Sequence, residues 1–291
     1  MFDFLSIVWN VDPIIFKIGP VAIRYYSLLF VAGFPLGYWL ISKMYRREGI
    51  DQQNIDPLLY AMLIGVIIGA RLGHCLFYQP DYYLGSWEGF IEIFQPWKGG
   101  LASHGGAIGI LCALWWYSSK YGKKLNFDMM WIIDRIVITV CFAGACIRLG
   151  NLFNSEIYGN ATDLPWGVIF ARNGETVPKH PTQIYESLFY LILGFVLLSI
   201  YWKKAEKIYK GWIFGVFLIL LFGFRFIIEF IKMPQVEFEE SMTLNMGQLL
   251  SIPFIIAGII ILILSYRFKK PTLRTAPVKT NYCPPPKARK K

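Results

Sequence analysis

Charge is scarce in this sequence. Of 291 residues only 16% are Asp, Glu, Lys or Arg, against 55% hydrophobic and 17% aromatic, with a mean hydropathy of +0.45. That balance excludes an ordinary soluble domain and points to a chain that crosses a membrane several times. Histidine is scarcer still, limited to His74, His104 and His180. With no HExxH motif and no histidine pair at helical spacing, no metal site is expected, and no other cofactor is called for. The five cysteines, at 75, 112, 141, 146 and 283, form no CxxC pair. Four of them lie in apolar runs, which reads as small inert packing rather than a disulfide framework. A cleavable signal peptide is missing too. The first twenty residues lack a basic start, an unbroken apolar core and a small-residue cleavage site. Asp12, Pro13, Gly19 and Pro20 interrupt them, so 1–20 suits an amphipathic extracytoplasmic arm lying on the membrane surface.

What the chain has in abundance is long apolar runs. Seven approach the roughly 20 residues that cross a bilayer: 21–42, 57–78, 101–119, 129–149, 183–202, 211–231 and 247–266. The third opens on "GGLASHGGAIGI", where irregular backbone is tolerated only against protein or a wet cavity. The expected fold is an all-α membrane protein, a polytopic bundle of seven transmembrane helices with a small extracytoplasmic head and interfacial arms. Nineteen Lys and Arg fall in one alternate set of flanks and the tail, and five (Lys17, Lys98, Arg172, Lys179 and Lys232) in the other. The positive-inside rule then puts the N-terminus outside and the C-terminus in the cytoplasm. The net charge of +10 is therefore topological and does not signal nucleic-acid binding. The organisation reads as an arm (1–20), spans one to four (21–149, with an aromatic interfacial arm at 79–100), a head (150–181), spans five to seven (182–267) and a basic tail (268–291). The tail's composition suits disorder near anionic lipid.

Five arginines remain within or at the ends of the spans: Arg24, Arg71, Arg135, Arg148 and Arg225. A charge at the bilayer centre costs at least about 3 kcal/mol, so each needs a partner or a function. Arg24 can snorkel outward. Arg135, beside Asp134, can pair locally or snorkel. Arg71, Arg148 and Arg225 share the outer-leaflet level, where a rigid guanidinium fork matches a lipid phosphate. Glu229 stands at i+4 from Arg225, a spacing that also allows a purely structural pair. No lysine is expected at that site.

The stretches "ARLGHCLFY" (70–78) and "IRLGNLFN" (147–154) look alike, by duplication or by chance. In each a glycine, Gly73 or Gly150, permits close backbone approach just after the arginine. His104 stands among Gly99, Gly100, Gly105 and Gly106, which leave room for another molecule to come close. A neutral imidazole there is a suitable general base, though a satisfied interfacial histidine is the plainer alternative. His180 with Pro181 and Gln183 reads as the start of a helix. Tyr25 and Tyr26 fit an aromatic belt, and a phenol could also meet a headgroup.

Taken together, "GPVAIRYYSL", "GARLGHCLFY", "GGLASHGGAIG", "RLGNLFNSEIYG", "HPTQIYE", "FRFIIEF" and "MGQLLSIP" resemble the prolipoprotein diacylglyceryl transferase family over nearly the whole chain. Ile147 and Leu152 depart from a usual glycine and phenylalanine of its signature, leaving the polar set intact. The resemblance implies a transferase of the bacterial inner membrane. Its partners would be phosphatidylglycerol, other membrane lipids and a preprolipoprotein whose signal peptide carries a lipobox cysteine. His104 would be the thiol's base, although an arginine beside the thiol could lower its pKa instead. Arg148 and Arg225 would hold the phosphate. Asn151, Asn154, Glu156 and Gly159 would shape the pocket and orient Arg148. Tyr26 and Arg71 would contact the headgroup, and Glu229 would hold Arg225. A transporter is the main rival, and it would spread its charges from face to face around a midplane site.

Overall fold

The computed structural model describes residues 7–19, 21–95, 99–233 and 242–274. Most of the expected tail, with Cys283, lies outside them, as do Lys98 and the middle of the 232–246 connection.

The N-terminal segment is built of strands. β1 (Ile7–Trp9) is followed by β2 (Ile14–Ile18) and β3 (Val21–Arg24), and the last two pair antiparallel from Ile14↔Arg24 to Ile18↔Val21. Gly19, at φ +57°, supplies the left-handed backbone that the tight connection needs. The hairpin corrects one expectation. Residues 21–24 form β3 against β2 rather than begin the first span, and to the mostly helical membrane fold that was expected the described residues add two small two-stranded sheets.

Helices follow: α1 (Tyr25–Arg47), α2 (Ile55–Phe77), the short α3 (Pro80–Gly85) and α4 (Trp87–Ile93), α5 (Ser103–Leu125) and α6 (Met129–Phe153). After the connection containing β4 (Val168–Phe170) come α7 (Thr182–Lys204), α8 (Trp212–Ile228) and α9 (Met246–Phe268). Each of the seven long helices overlaps one of the seven apolar runs. Five are long and apolar enough to cross a membrane: α1, the stretch Gln52–Phe77 that contains α2, α6, α7 and α9. α8 has 17 residues, or about 26 Å at 1.5 Å per residue. α5 carries Lys120, Lys123 and Lys124 near its end and falls outside the five.

The chain divides into two compact units. Of the described residues, the second comprises 42–132 and Arg274 and is organised by a seam of small residues. Gly65, Gly69 and Gly73 recur every fourth residue on α2, as do Gly105, Gly109 and Ala113 on α5. A Cβ on Gly109 would meet the Gly65 carbonyl oxygen, and one on Gly73 would come within 2.7 Å of the Gly105 Cα. This is backbone-to-backbone packing of the kind that membrane helices achieve with small residues at every fourth position. It corrects the reading of Gly105 as room for another molecule, because α2 already fills that room. Gly100, at φ +69°, lies equally close to His74. At the other end of the seam the Tyr117 hydroxyl donates to the Asn54 carbonyl (2.7 Å) and meets the Tyr45 hydroxyl (3.1 Å).

The first unit comprises the described residues of 7–41 and 133–273. α6 is its buried axis: Gly33 and Gly37 of α1 abut Ala143 and Thr139, and Gly194 of α7 abuts Cys141 and Phe142. Asp134, fully buried, accepts from the backbone N–H of Gly211 (2.7 Å) and Phe214 (2.9 Å). It thereby caps the N-terminus of α8, where a negative charge is favoured. Arg135 is also fully buried and does not snorkel. It donates to the Thr272 carbonyl (2.9 Å) and lies 5.5 Å from the centre of the Tyr201 ring. The start of α9 is set by an Asn245–Gln248 capping box.

Gly109→Leu is expected to force α2 and α5 apart at a cost of about 1–3 kcal/mol. The melting temperature of the detergent-solubilised protein should drop, and an unchanged value would mean that the seam is not tightly packed.

Candidate functional site

The stretch 148–159 closes α6 and turns back beneath the start of α7. Its polar side chains form a relay. Arg148 donates from Nη1 to Asn151 Oδ1 (3.2 Å). Asn151 and Asn154 both donate to Glu156 Oε1, at 2.8 and 3.2 Å. The turn is unusual because Ser155 (φ +55°) and Ile157 (φ +61°) flank Glu156 in the left-handed region without being glycines. For β-branched Ile157 that is a strained conformation. Three side chains hold it. Asn173 donates to the Ser155 carbonyl (2.6 Å), Gln183 to that of Glu156 (2.7 Å) and Thr182 to that of Ile157 (2.8 Å).

Gln183, Thr182 and Glu186 are fully buried in the first turns of α7. "HPTQIYE" therefore does more than begin a helix. His180 serves the backbone, donating its N–H to the Asn160 carbonyl (3.0 Å) and accepting from Gly159 (2.8 Å). Gly159 has no room for a side chain, since a Cβ there would lie 2.7 Å from His180 Cβ and 2.9 Å from Thr182 Cγ2. Gly150 is matched to Tyr26, whose ring would be 2.7 Å from any Cβ. Tyr26 also lies within electrostatic reach of Glu156 and Arg148.

Beside this turn runs a ladder of alternating charge. Arg148 Nε lies 3.2 Å from Glu186 Oε2. Glu186 Oε1 is 3.0 Å from Lys232 Nζ, which is 3.2 Å from Glu229 Oε1. Glu229 Oε1 lies 3.8 Å from Arg225 Nη2. Tyr190 lies within hydrogen-bonding reach of Arg148, and Asn245 donates to the Glu229 carboxylate (3.2 Å). The side chains of Glu186, Lys232 and Glu229 are at most 6% exposed, whereas those of Arg148 and Arg225 are 14% and 30% exposed. The interior of the ladder is closed and its two guanidinium ends are the open parts. The connection 154–181 packs Leu152, Val168 and Phe170 into a small core with Trp9 and Tyr158, and β4 pairs in parallel with β1. There, burial raises the Tyr158 phenol above its ordinary range, with Glu175 adding to the effect while Asn173 opposes it. Its hydroxyl donates to Glu175 (2.9 Å).

The structure thus brings Arg148, Asn151, Asn154, Glu156, Gly159, Tyr26, Arg225 and Glu229 into one unit. His104 and Arg71 belong to the other unit. His104 is exposed on the first turn of α5, whose start is tied down by the Ala102 N–H donating to the Ala70 carbonyl (2.9 Å). Arg71 is 4% exposed and spends its donors on main-chain carbonyls: Nε on Ile93 (3.1 Å), Nη1 on Gly99 (2.6 Å) and Gly100 (3.3 Å), and Nη2 on Glu92. Its guanidinium lies 5.0 Å from the centre of the Tyr83 ring, so it fastens α3 and α4 to α2.

The sequence reading missed Glu186 and Lys232. Lys232 was counted as an outer flanking charge, and the arginines were expected to have no lysine near them. The i+3 spacing from Glu229 to Lys232 was the available signal. Glu186 closes the "HPTQIYE" stretch, but no spacing pointed to its partners, which lie 38 residues before it and 46 after it.

The sequence profile of the family described as prolipoprotein diacylglyceryl transferase matches residues 13–264. Among relatives named phosphatidylglycerol–prolipoprotein diacylglyceryl transferase, the chain is 44% identical over 261 residues to that of Tolumonas auensis, covering 90% of this chain and 98% of that protein. It is 46% identical over 271 residues to that of Porphyromonas gingivalis (88% and 94%) and 44% identical over 264 residues to that of Bacteroides fragilis (88% and 94%).

Gln183→Leu removes the donor to the Glu156 carbonyl and should cost about 1–3 kcal/mol of stability, the penalty of an unsatisfied buried acceptor. Thermal unfolding checks this, and a wild-type melting temperature would mean that the strained turn holds itself.

Proposed function

The chain belongs to the prolipoprotein diacylglyceryl transferase family, and we propose that the two guanidinium ends of its charge ladder hold the phosphate of the lipid donor. The protein is a membrane transferase of lipoprotein maturation. It moves the diacylglyceryl group of phosphatidylglycerol onto the cysteine thiol of a prolipoprotein.

The bond that breaks joins the glyceryl carbon to the phosphate oxygen, and the bond that forms joins that carbon to sulfur. The thiol proton leaves to a base, and glycerol-1-phosphate departs with the bonding electrons. A thiol with an ordinary pKa near 8.5 attacks well only after losing its proton. The leaving phosphate begins as a singly charged diester and gains negative charge as the C–O bond lengthens. Fixed cations at that oxygen stabilise the transition state more than the ground state, which is what accelerates a reaction.

The observation that most supports this reading is that Arg148 and Arg225 are tied into one buried ladder with their guanidiniums as its most open members. In this reading Asn151, Asn154 and Glu156 hold Arg148 in aim, Glu229 holds Arg225, and Tyr26 with the Gly150 and Gly159 backbones bounds the headgroup space. His104 takes the thiol proton. Arg71 contributes by fixing α3 and α4, which we place at the outer interface. The acceptor cysteine belongs to a lipobox at the end of a signal peptide. The chain crosses the bacterial inner membrane seven times with its N-terminus outside, and 150–181 forms the extracytoplasmic head.

Purified protein, labelled phosphatidylglycerol and a lipobox peptide test the scheme. Labelled peptide should form, and its absence, or unchanged labelling of a peptide with serine in place of the cysteine, would overturn it. Arg148→Ala should reduce turnover at least about 100-fold, and activity within a few-fold of wild type would mean that the phosphate sits elsewhere. His104→Gln should lose about 100-fold at pH 7. A full rate in that variant would assign the proton to another group.

A further inference from the structure

We propose that Lys232 is a positioning residue for this reaction: it holds Glu186 and Glu229 so that the arginines they carry stay at one fixed separation. The inference rests on the reading above, in which Arg148 and Arg225 meet the phosphate.

Lys232 Nζ lies between two carboxylates, 3.0 Å from Glu186 Oε1 and 3.2 Å from Glu229 Oε1, with its side chain 2% exposed. Each carboxylate is shared. Glu186 turns its other oxygen to Arg148 at 3.2 Å, and Glu229 faces Arg225 at 3.8 Å. The backbone of Lys232 is fixed as well. It bridges antiparallel to Gly159, while the Asn160 N–H donates to the Ile231 carbonyl (2.8 Å). One residue therefore ties the end of α8 to the turn that holds Arg148 and to α7. Buried this deeply, the ammonium faces the carboxylates rather than a ligand, so it acts through the arginines.

Its charge matters as much as its place. Two glutamates against three cations leave the ladder with one excess positive charge, which matches a phosphodiester. Without the ammonium the ladder is neutral, and two carboxylates in a shared site repel each other. Each would be left to its own arginine, drawing the guanidinium back from the phosphate. The penalty should grow as the leaving group gains charge. It should therefore appear in kcat more than in KM for the lipid.

Lys232→Met, Lys232→Arg and the double variant Lys232→Met/Glu186→Gln, purified and compared with wild type in the labelled-lipid assay, test this. Lys232→Met should lose about 100-fold in kcat, the scale of a small misplacement of reacting groups, with KM changed less than about threefold. Lys232→Arg should recover to within about tenfold of wild type, and the double variant should be no worse than Lys232→Met, because coupled residues are not additive. A Lys232→Met kcat within about threefold of wild type, equal losses in the Met and Arg variants, or additive losses in the double variant would each overturn the proposal. Should Lys232→Met fail to fold, Lys232→Gln removes the charge while keeping a hydrogen-bond donor, and a kcat within about threefold of wild type would overturn the proposal. A wild-type protein that labels no peptide would sink the proposed function itself, whereas an active wild type with an unaffected Lys232→Met sinks this inference alone.

Discussion

Two carboxylates buried among three cations govern the arrangement of the larger unit. Glu186 and Glu229 come from different helices, and each can be ionised away from water only because lysine and arginine surround it. Ion pairs of this kind contribute little net stability, since desolvation offsets most of the attraction. What they supply is geometry: α6, α7, α8 and the start of α9 must meet in one register for every charge to find its partner. Asn245 shows how far the requirement reaches, because the residue that caps α9 also donates to the Glu229 carboxylate.

The turn after Arg148 is the second half of the same design. Ser155 and Ile157 adopt a left-handed backbone that costs of order 1–3 kcal/mol each. Asn173, Gln183 and Thr182 meet the three successive carbonyls of that turn. The strain brings Glu156 round to face Asn151 and Asn154, which a relaxed helix end would carry away from it. Stability is spent on aim, a trade common to sites that act on other molecules.

Much of this was legible in the sequence, and the parts that were not share a cause. Hydropathy located the seven long helices of the described residues, five of which are long and apolar enough to cross a membrane, because a membrane solvent constrains every residue of a span. The polar set from Arg148 to Gly159 was visible as charge where apolar residues were due. Glu186 and Lys232 were hidden because nothing local distinguishes a glutamate in an early helical turn, or a lysine at a flank, from a solvated one. The glycines around His104 misled in a different way. Gly105 looked like space for a substrate, yet it lies against Gly69 and Gly73 of α2. Arg71 and Arg148 sit in matching words of sequence but use their donors differently, one on main-chain carbonyls and the other on carboxylate and amide side chains. β3 was obscured because the apolar run 21–42 begins before the helix start at Tyr25, and β1 and β2 lie in residues read as an interfacial arm.

Where α2 meets α5, main chain touches main chain at Gly65, Gly69, Gly105 and Gly109. Such a joint has almost no rotatable side-chain bonds, so it gains little rotameric entropy on warming or when the surrounding lipid becomes more fluid. His104 precedes Gly105 directly, and its Cα is held by that joint. Only the two torsions of its own side chain are left to aim the imidazole, whose reach is therefore set by bond lengths and two angles rather than by the fluctuations of the bilayer around it.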